Sequence, residues 1–432
     1  MIGFDIGLDL FPLLAATLAA ISCALLGNFL VLRKLSLMGD AISHSVLPGL
    51  VVAFLITSTR SPFVMLTGAA VTGILTVVLI EVIKRVGRIE PGAAMGVVFS
   101  IFFALGVLLI EQAAARHIDL DADCVLHGQL ETLVWFDAPA HWKTLLSLEM
   151  LAATPRQVWT LFVMCGAISL FVTVLFKELR IASFDAALAT TLGFHATALH
   201  YLLMVFVAGA TVASFEAVGS ILVIAMLICP AATARLLTDT LRTQIFASVL
   251  IAASSAVLGY FGATAIPALF GKDSVNAAGS ITMMSGILLA IAIVASPKHG
   301  LIAKQVRNRS LTRNIELDDL LATLFRASEQ DKLPMSKAAI GMLLPAVKIE
   351  ATIHRALKQR LIEVVRERVL LTPDGRSRAA ELVRRHRLWE TYLVHEADID
   401  AEHVHDTAEQ LEHISIQPRS GPSFDPHGRP IP

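Results

Sequence analysis

Residues 277–316, AAGSITMMSGILLAIAIVASPKHGLIAKQVRNRSLTRNIE, hold the boundary that decides the architecture. No Asp, Glu, Lys or Arg occurs from 277 to 297, whereas Lys298, Lys304, Arg307, Arg309 and Arg313 follow before the first acid, Glu316. An uncharged stretch of about 20 residues is long enough to cross the hydrocarbon core of a bilayer as a helix. The charged stretch that follows requires water. Two environments therefore share one chain.

The same contrast runs through the whole sequence. Of its 432 residues 55% are hydrophobic and 16% charged, with a mean hydropathy of +0.68, whereas soluble domains carry about 25% charged residues. Nine segments are apolar enough to span: 10–32, 37–57, 62–84, 94–112, 158–177, 196–214, 217–236, 243–266 and 277–297. The second begins polar and contains Pro48-Gly49, which loosens its middle. The expected fold is an all-α polytopic membrane protein of about eight to nine transmembrane helices, followed by a small α-rich domain.

Basic residues prefer the cytoplasmic ends of spans. Arg33 and Lys34, Lys84, Arg85 and Arg88, Lys177 and Arg180, Arg235 and Arg242, and Lys298 all fall on one face if nine spans alternate. That places the N-terminus outside and the C-terminal domain in the cytoplasm of a bacterial inner membrane. The long connection 113–157 then lies outside, carrying Asp119, Asp121, Asp123, His127, Asp137 and His141. Met1–Leu10 has no Lys or Arg, so the first apolar segment reads as a retained span and not as a cleaved signal. The four cysteines form no Cys-x-x-Cys pair and read as packing residues.

After Pro297 the spacing predicts a linker over 298–315, a winged helix-turn-helix over 316–371 and a helical region over 372–432. The helices expected are 316–328, 336–344, 349–360, 372–394 and 400–414, with a β-wing over 364–371 turning at Arg366-Glu367-Arg368. Arg355, Lys358 and Arg360 give the second helix of the motif a basic face suited to DNA phosphates.

Two clusters carry candidate chemistry. Asp40 and His44 stand four apart, on one helical face, and offer an oxygen and a nitrogen suited to divalent manganese, iron or zinc. An ionisable residue within a span costs about 2.5–3.5 kcal/mol and so tends to mark a pathway or a partner. The alternative is an interfacial N-cap with a hydrogen-bonded histidine. In the C-terminal region His386 and Glu390 share one helix face, and His405, Glu409, Glu412 and His413 another. Such sets converge on divalent ions, although a solvated charged helix has the same composition.

Three segments in order bear a resemblance. Gly27 to Gly49 (GNFLVLRKLSLMGDAISHSVLPG), Ser183 to Gly193 (SFDAALATTLG) and Val218 to Leu237 (VGSILVIAMLICPAATARLL) are similar to the metal-type permeases of ABC transporters, which serve manganese, zinc and iron. The resemblance implies that Asp40 and His44 handle the ion in the translocation path. It also implies that Phe184, Asp185, Leu188 and Gly193 belong to a cytosolic coupling segment docking on an ATPase. The apolar spacing of that segment independently suits a partner's groove or a membrane interface. No Gly-x-x-x-x-Gly-Lys-Ser/Thr occurs, since Gly271-Lys272 is followed by Asp273, so no nucleotide is expected on this chain. The implied partners are a separate ATPase subunit, an extracytoplasmic metal-binding protein, and a second permease chain, identical or not, within membrane lipid.

From about 311 the chain resembles the diphtheria toxin repressor family of iron- and manganese-dependent regulators. The resemblance rests on TPDGRSRA (372–379), RHRLWE (385–390), HDTAEQLEH (405–413) and DPHGRPIP (425–432). It implies one metal site from Glu409, Glu412 and His413 and an adjacent one from His386, Glu390 and His405. Glu409 stands where iron-type members carry Cys and inclines the expectation toward manganese. Asp318 and Asp319 are the candidates for a further ligand from the first helix. The functional expectation is a metal permease subunit, not itself an enzyme, with a cytosolic metal-sensing domain. The rivals are a membrane-tethered transcription factor and a secondary transporter.

Overall fold

The computed structural model describes residues 5–35, 37–58, 62–114, 128, 130–135, 154–271, 273–345, 347–400, 402–411 and 424–432. The acidic residues expected in the 113–157 connection, together with Cys124, Glu412 and His413, lie outside these. The chain divides into two compact units, Met1–Ala303 and Lys304–Pro432.

The first unit is helical: α1 (Ile6–Leu32), α2 (Met38–Ser45), α3 (Leu47–Thr57), α4 (Pro62–Gly87), α5 (Pro91–Ala114), α6 (Arg156–Val174), α7 (Phe176–Phe184), α8 (Ala186–Thr191), α9 (Ala196–Leu237), α10 (Leu241–Leu269) and α11 (Ala277–Ala295). The span expected at 37–57 is present as Met38–Thr57, in which a single turn at Val46, just ahead of Pro48, separates α2 from α3 and the two together count as one spanning helix. At the centre runs α1, with Ala15, Ala16, Ala19, Ala20, Cys23 and Ala24 almost fully enclosed. Small side chains at these intervals let neighbouring backbones come close, which is how helices associate in lipid, where no hydrophobic effect drives them together. Gly27 continues the row: a Cβ there would stand 1.9 Å from the carbonyl oxygen of Leu227.

Eight helices among the described residues are long and apolar enough to cross a membrane. One of them, α9, has 42 residues, about 63 Å at 1.5 Å per residue and twice a bilayer core. It breaks at Gly219, whose φ 77°, ψ 167° is open only to glycine. Contacts at its ends show that it doubles back. Glu131 accepts from the Ala277 amide at the start of α11, and the Trp135 amide, four residues on, donates to Gly7 at the start of α1. The starts of α1 and α11 are therefore on one side and their ends on the other. His200, near the beginning of α9, contacts Arg33 at the end of α1. Leu236, at the finish of α9, accepts from Ser296 just after α11. Both ends of α9 lie on the same side, so the eight helices make nine crossings. Gly128 packs on the break, where a Cβ would be 2.4 Å from the Gly219 nitrogen.

The second unit contains α12 (Leu301–Glu329, begun in the first unit), β1 (Met335–Ser336), α13 (Lys337–Leu343), α14 (Ile349–Lys358), β2 (Ile362–Val365), β3 (Arg368–Leu371), α15 (Pro373–His395) and α16 (His405–Leu411). The segment read as a linker is helical, because 301–315 joins the first domain helix without a break. The three strands form an antiparallel sheet in the order β1-β3-β2, with Val364 opposite Val369 and Met335 opposite the same residue. Arg366 and Glu367 turn the wing with φ 51° and 63°, the two left-handed residues that a two-residue hairpin requires. Thr372 caps α15 by accepting from the Gly375 amide, ahead of Pro373 in the first turn. Leu317, Leu320, Leu321, Leu324, Ile340 and Val369 fill the core.

Candidate metal centres

Asp40 sits in the first turn of α2 and His44 one turn later, with His44 Nε2 3.4 Å from Asp40 Oδ1. How they come to lie inside the bundle follows from the end of α1. Lys34 adopts a left-handed conformation, the Leu35 amide donates to Leu30, and the chain turns back. Gly39 then rests on Leu227, the residue that also fills the gap at Gly27; a Cβ on Gly39 would meet Leu227 Cδ1 at 2.5 Å. The His44 ring packs edge-on against Phe99 and Phe103 of α5, at 5.2 and 5.7 Å between centroids. Both polar side chains keep partial exposure, 40% for Asp40 and 23% for His44. A paired oxygen and nitrogen, half open beside aromatic rings, is an incomplete donor set that an ion can enter and leave.

The second cluster is tighter. His386 and Glu390, one turn apart on α15, and His405, the first residue of α16, converge. His386 Nε2 to Glu390 Oε1 is 3.1 Å, His405 Nδ1 to Glu390 Oε1 2.9 Å, and the two nitrogens are 3.0 Å apart. The three donors lie close enough to share one cation, and two histidines with one carboxylate form a set suited to divalent manganese, iron or zinc. Glu390 is fully buried and its Oε2 has no hydrogen-bond partner among the described residues, a cost that a bound cation would remove. Burial works against the ionised Glu390, but the hydrogen bonds and charge of His386 and His405 outweigh it and hold its carboxyl at about 2. The oxygen is anionic and ready to ligate. This is the one group of three or more metal-capable side chains that converges among the described residues.

Glu409 lies outside that cluster, exposed on α16 one turn beyond His405. Asp318 is held by Arg378 at 2.7 Å, so it is committed to an ion pair. Arg355 departs from the expected phosphate face: its guanidinium donates to Glu316 Oε2 and to the Arg313 carbonyl, each at 2.6 Å, and is turned into the domain. Lys358 and Arg360 remain exposed. Phe184 at the end of α7, Leu188 in α8 and Leu192 just after it are exposed. Asp185 caps α8 by accepting from the Ala187 and Leu188 amides, and Gly193 takes φ 86° to end the turn. The residue sequence reasoning missed is Arg387, beside His386. It is buried, grips Glu329 with two nitrogens and reaches the Pro430 carbonyl. An arginine amid a basic run gave no signal of burial.

Residues 10–296 match the family model described as the ABC 3 transport family. The chain belongs to the ABC 3 transport family. Among ABC 3 relatives, the manganese transport system membrane protein MntD of Bacillus subtilis is 38% identical over 296 residues, 68% of this chain and 95% of that protein. The zinc transport system membrane protein TroD of Treponema pallidum is 34% identical over 378 residues, 85% of this chain and 96% of its own length. The solved structure of PsaBC from Streptococcus pneumoniae in complex with Fab superposes with a TM-score of 0.53 at 33% identity, covering 67% of this chain and 92% of that one. Residues 372–417 match the model described as the iron dependent repressor, metal binding and dimerisation domain. The ABC 3 permease thus carries a repressor-type domain that holds the triad.

Proposed function

We propose that this ABC 3 permease passes a divalent transition-metal ion inward through Asp40 and His44, and that its C-terminal domain senses the same class of ion in the cytosol. The observation that carries the reading is the occurrence, in one chain of this family, of a two-donor site among the spans and a three-donor site, with His386 and Glu390 buried and His405 exposed, in the appended domain. Two donors suit passage and three donors suit retention. The relatives named for manganese and zinc transport support a divalent cargo.

The basic residues at the ends of the spans support an orientation with the N-terminus outside and the C-terminal domain in the cytoplasm. The exposed row Phe184, Leu188 and Leu192 then faces the cytosol and serves as the docking surface for a separate ATP-hydrolysing subunit. Further partners are an extracytoplasmic metal-binding protein and a second permease chain. The two imidazoles and one carboxylate of His386, Glu390 and His405 suit manganese, iron or zinc at the sensor. When bound there, the ion supplies a cross-link between α15 and α16, and it regulates transport only through a difference in affinity between transporter states. The inward turn of Arg355 favours this reading over a tethered DNA-binding regulator, because it removes one of three cations from the face expected to meet phosphate.

The test is cellular uptake of radioactive manganese by the full chain, by a chain ending at Ala303, and by Glu390→Gln. Uptake is expected to persist in the truncated chain, while inhibition by excess cytosolic metal disappears. Glu390→Gln is expected to raise the inhibitory metal concentration by about 100-fold or more, since even outer-sphere changes cost 10–100-fold. If inhibition is unaltered in both variants, the domain is not the sensor.

A further inference from the structure

Arg33 ends α1 as its C-cap residue and reaches two other elements. Its Nε donates to Ser183 Oγ on α7 at 3.1 Å. Its Nη1 lies 3.3 Å from His200 Nδ1 near the start of α9. A guanidinium has no acceptor, so Nδ1 must accept, and the neutral imidazole carries its proton on Nε2. That nitrogen faces Glu81 Oε2 of α4 at 3.7 Å. Glu81 is itself fixed by Lys84 and Arg85 at 2.6 and 2.8 Å. The hydrogen bonds therefore run outward from Arg33, to Ser183 on one side and to His200 on the other, with the Glu81 carboxylate an electrostatic neighbour 3.7 Å beyond His200.

The position of this chain of contacts in the sequence matters. Ser183 directly precedes Phe184, the first exposed apolar residue of the docking segment, and Arg33 precedes Asp40 by seven residues through the reversed turn at Lys34. We propose that Arg33 is the positioning residue that ties the docking segment to the turn carrying Asp40, so that movement of α7 on a partner ATPase is delivered to the ion pathway. Arginine suits the task because its planar fork holds two acceptors in fixed directions, which an ammonium cannot do. The inference rests on Phe184, Leu188 and Leu192 being the ATPase-docking surface.

The experiment uses the whole transporter, co-expressed with its ATPase subunit and reconstituted in proteoliposomes, reading manganese imported per ATP hydrolysed. Arg33→Gln and Ser183→Ala are expected to retain the ATPase on purification and keep its hydrolysis while lowering that ratio at least tenfold. Ser183→Thr, which restores the hydroxyl, is expected to restore the ratio. The double variant should be no worse than Arg33→Gln alone, because both changes cut one connection. Ser183→Ala removes a single oxygen from a half-buried site and keeps the test valid should Arg33→Gln fail to fold. A merely structural role would lower abundance without altering the ratio. Phe184→Asp is measured in parallel: retention of the ATPase by that variant overturns the docking surface and the relay with it. Loss of the ATPase there, with an unchanged ratio in Arg33→Gln and Ser183→Ala, overturns the relay alone.

Discussion

Asp40→Ala and His44→Ala are each expected to lower manganese uptake by at least tenfold, about 1.4 kcal/mol, at unchanged abundance in the membrane. The two side chains are 3.4 Å apart, and no third His, Cys, Asp or Glu joins them among the described residues. Removing either one halves the donor set this chain presents. Asp40→Asn separates charge from shape. It keeps an oxygen but loses the anion that offsets the cost of bringing a divalent ion out of water, and is expected to fall close to Asp40→Ala. Uptake within twofold of the parent chain in all three variants would remove the pair from the pathway.

The second large effect concerns packing. Gly27→Ala places a methyl group 1.9 Å from the Leu227 carbonyl oxygen and 2.9 Å from its carbon. Inserting a methylene into a close-packed core costs about 1–3 kcal/mol when side chains can yield. Here the obstacle is backbone of an adjoining helix, so the loss is expected at or above about 3 kcal/mol, with the protein aggregating on detergent extraction. Gly286→Ala is the matched control, because nothing lies within 4 Å of its Cβ. A melting temperature for Gly27→Ala equal to that of Gly286→Ala would show that α1 and α9 are not tightly apposed. The same Leu227 touches Gly39, so a partly folded Gly27→Ala should also displace Asp40 and lose uptake beyond its loss of abundance.

How far the chain could be read in advance depended on the range of the interaction. Spans were legible because burial in lipid imposes composition over some 20 consecutive residues, and the wing because Arg366-Glu367 lies between two apolar runs. His386 and Glu390 were legible as one helical turn, whereas His405 joined them only through resemblance. The break between α2 and α3 was visible as Pro48 but not its place at Val46. Unreadable were the partners of Arg355, Arg387 and Arg33. A basic residue looks the same in sequence whether it meets water, phosphate or a partner 39 or more positions away, and no periodicity records that choice. The two-stranded reading of the wing likewise missed β1, whose two residues are too short to show alternation.

The doubling back of α9 at Gly219 has a bearing on how the protein is made. The 42 residues carry no Asp, Glu, Lys or Arg between Ala196 and Ala234 other than Glu216, which pairs with Arg156. No hydrophilic loop is available to be drawn across the bilayer between the two crossings. The pair must enter lipid together as a closed hairpin, each arm shielding the other's exit. A tag or cleavage site placed between Val218 and Ser220 would have nowhere to go, with Gly128 already seated on the bend. Both arms are therefore needed together, and a chain that failed to bend at Gly219 would be left with one helix about twice as long as the membrane is thick.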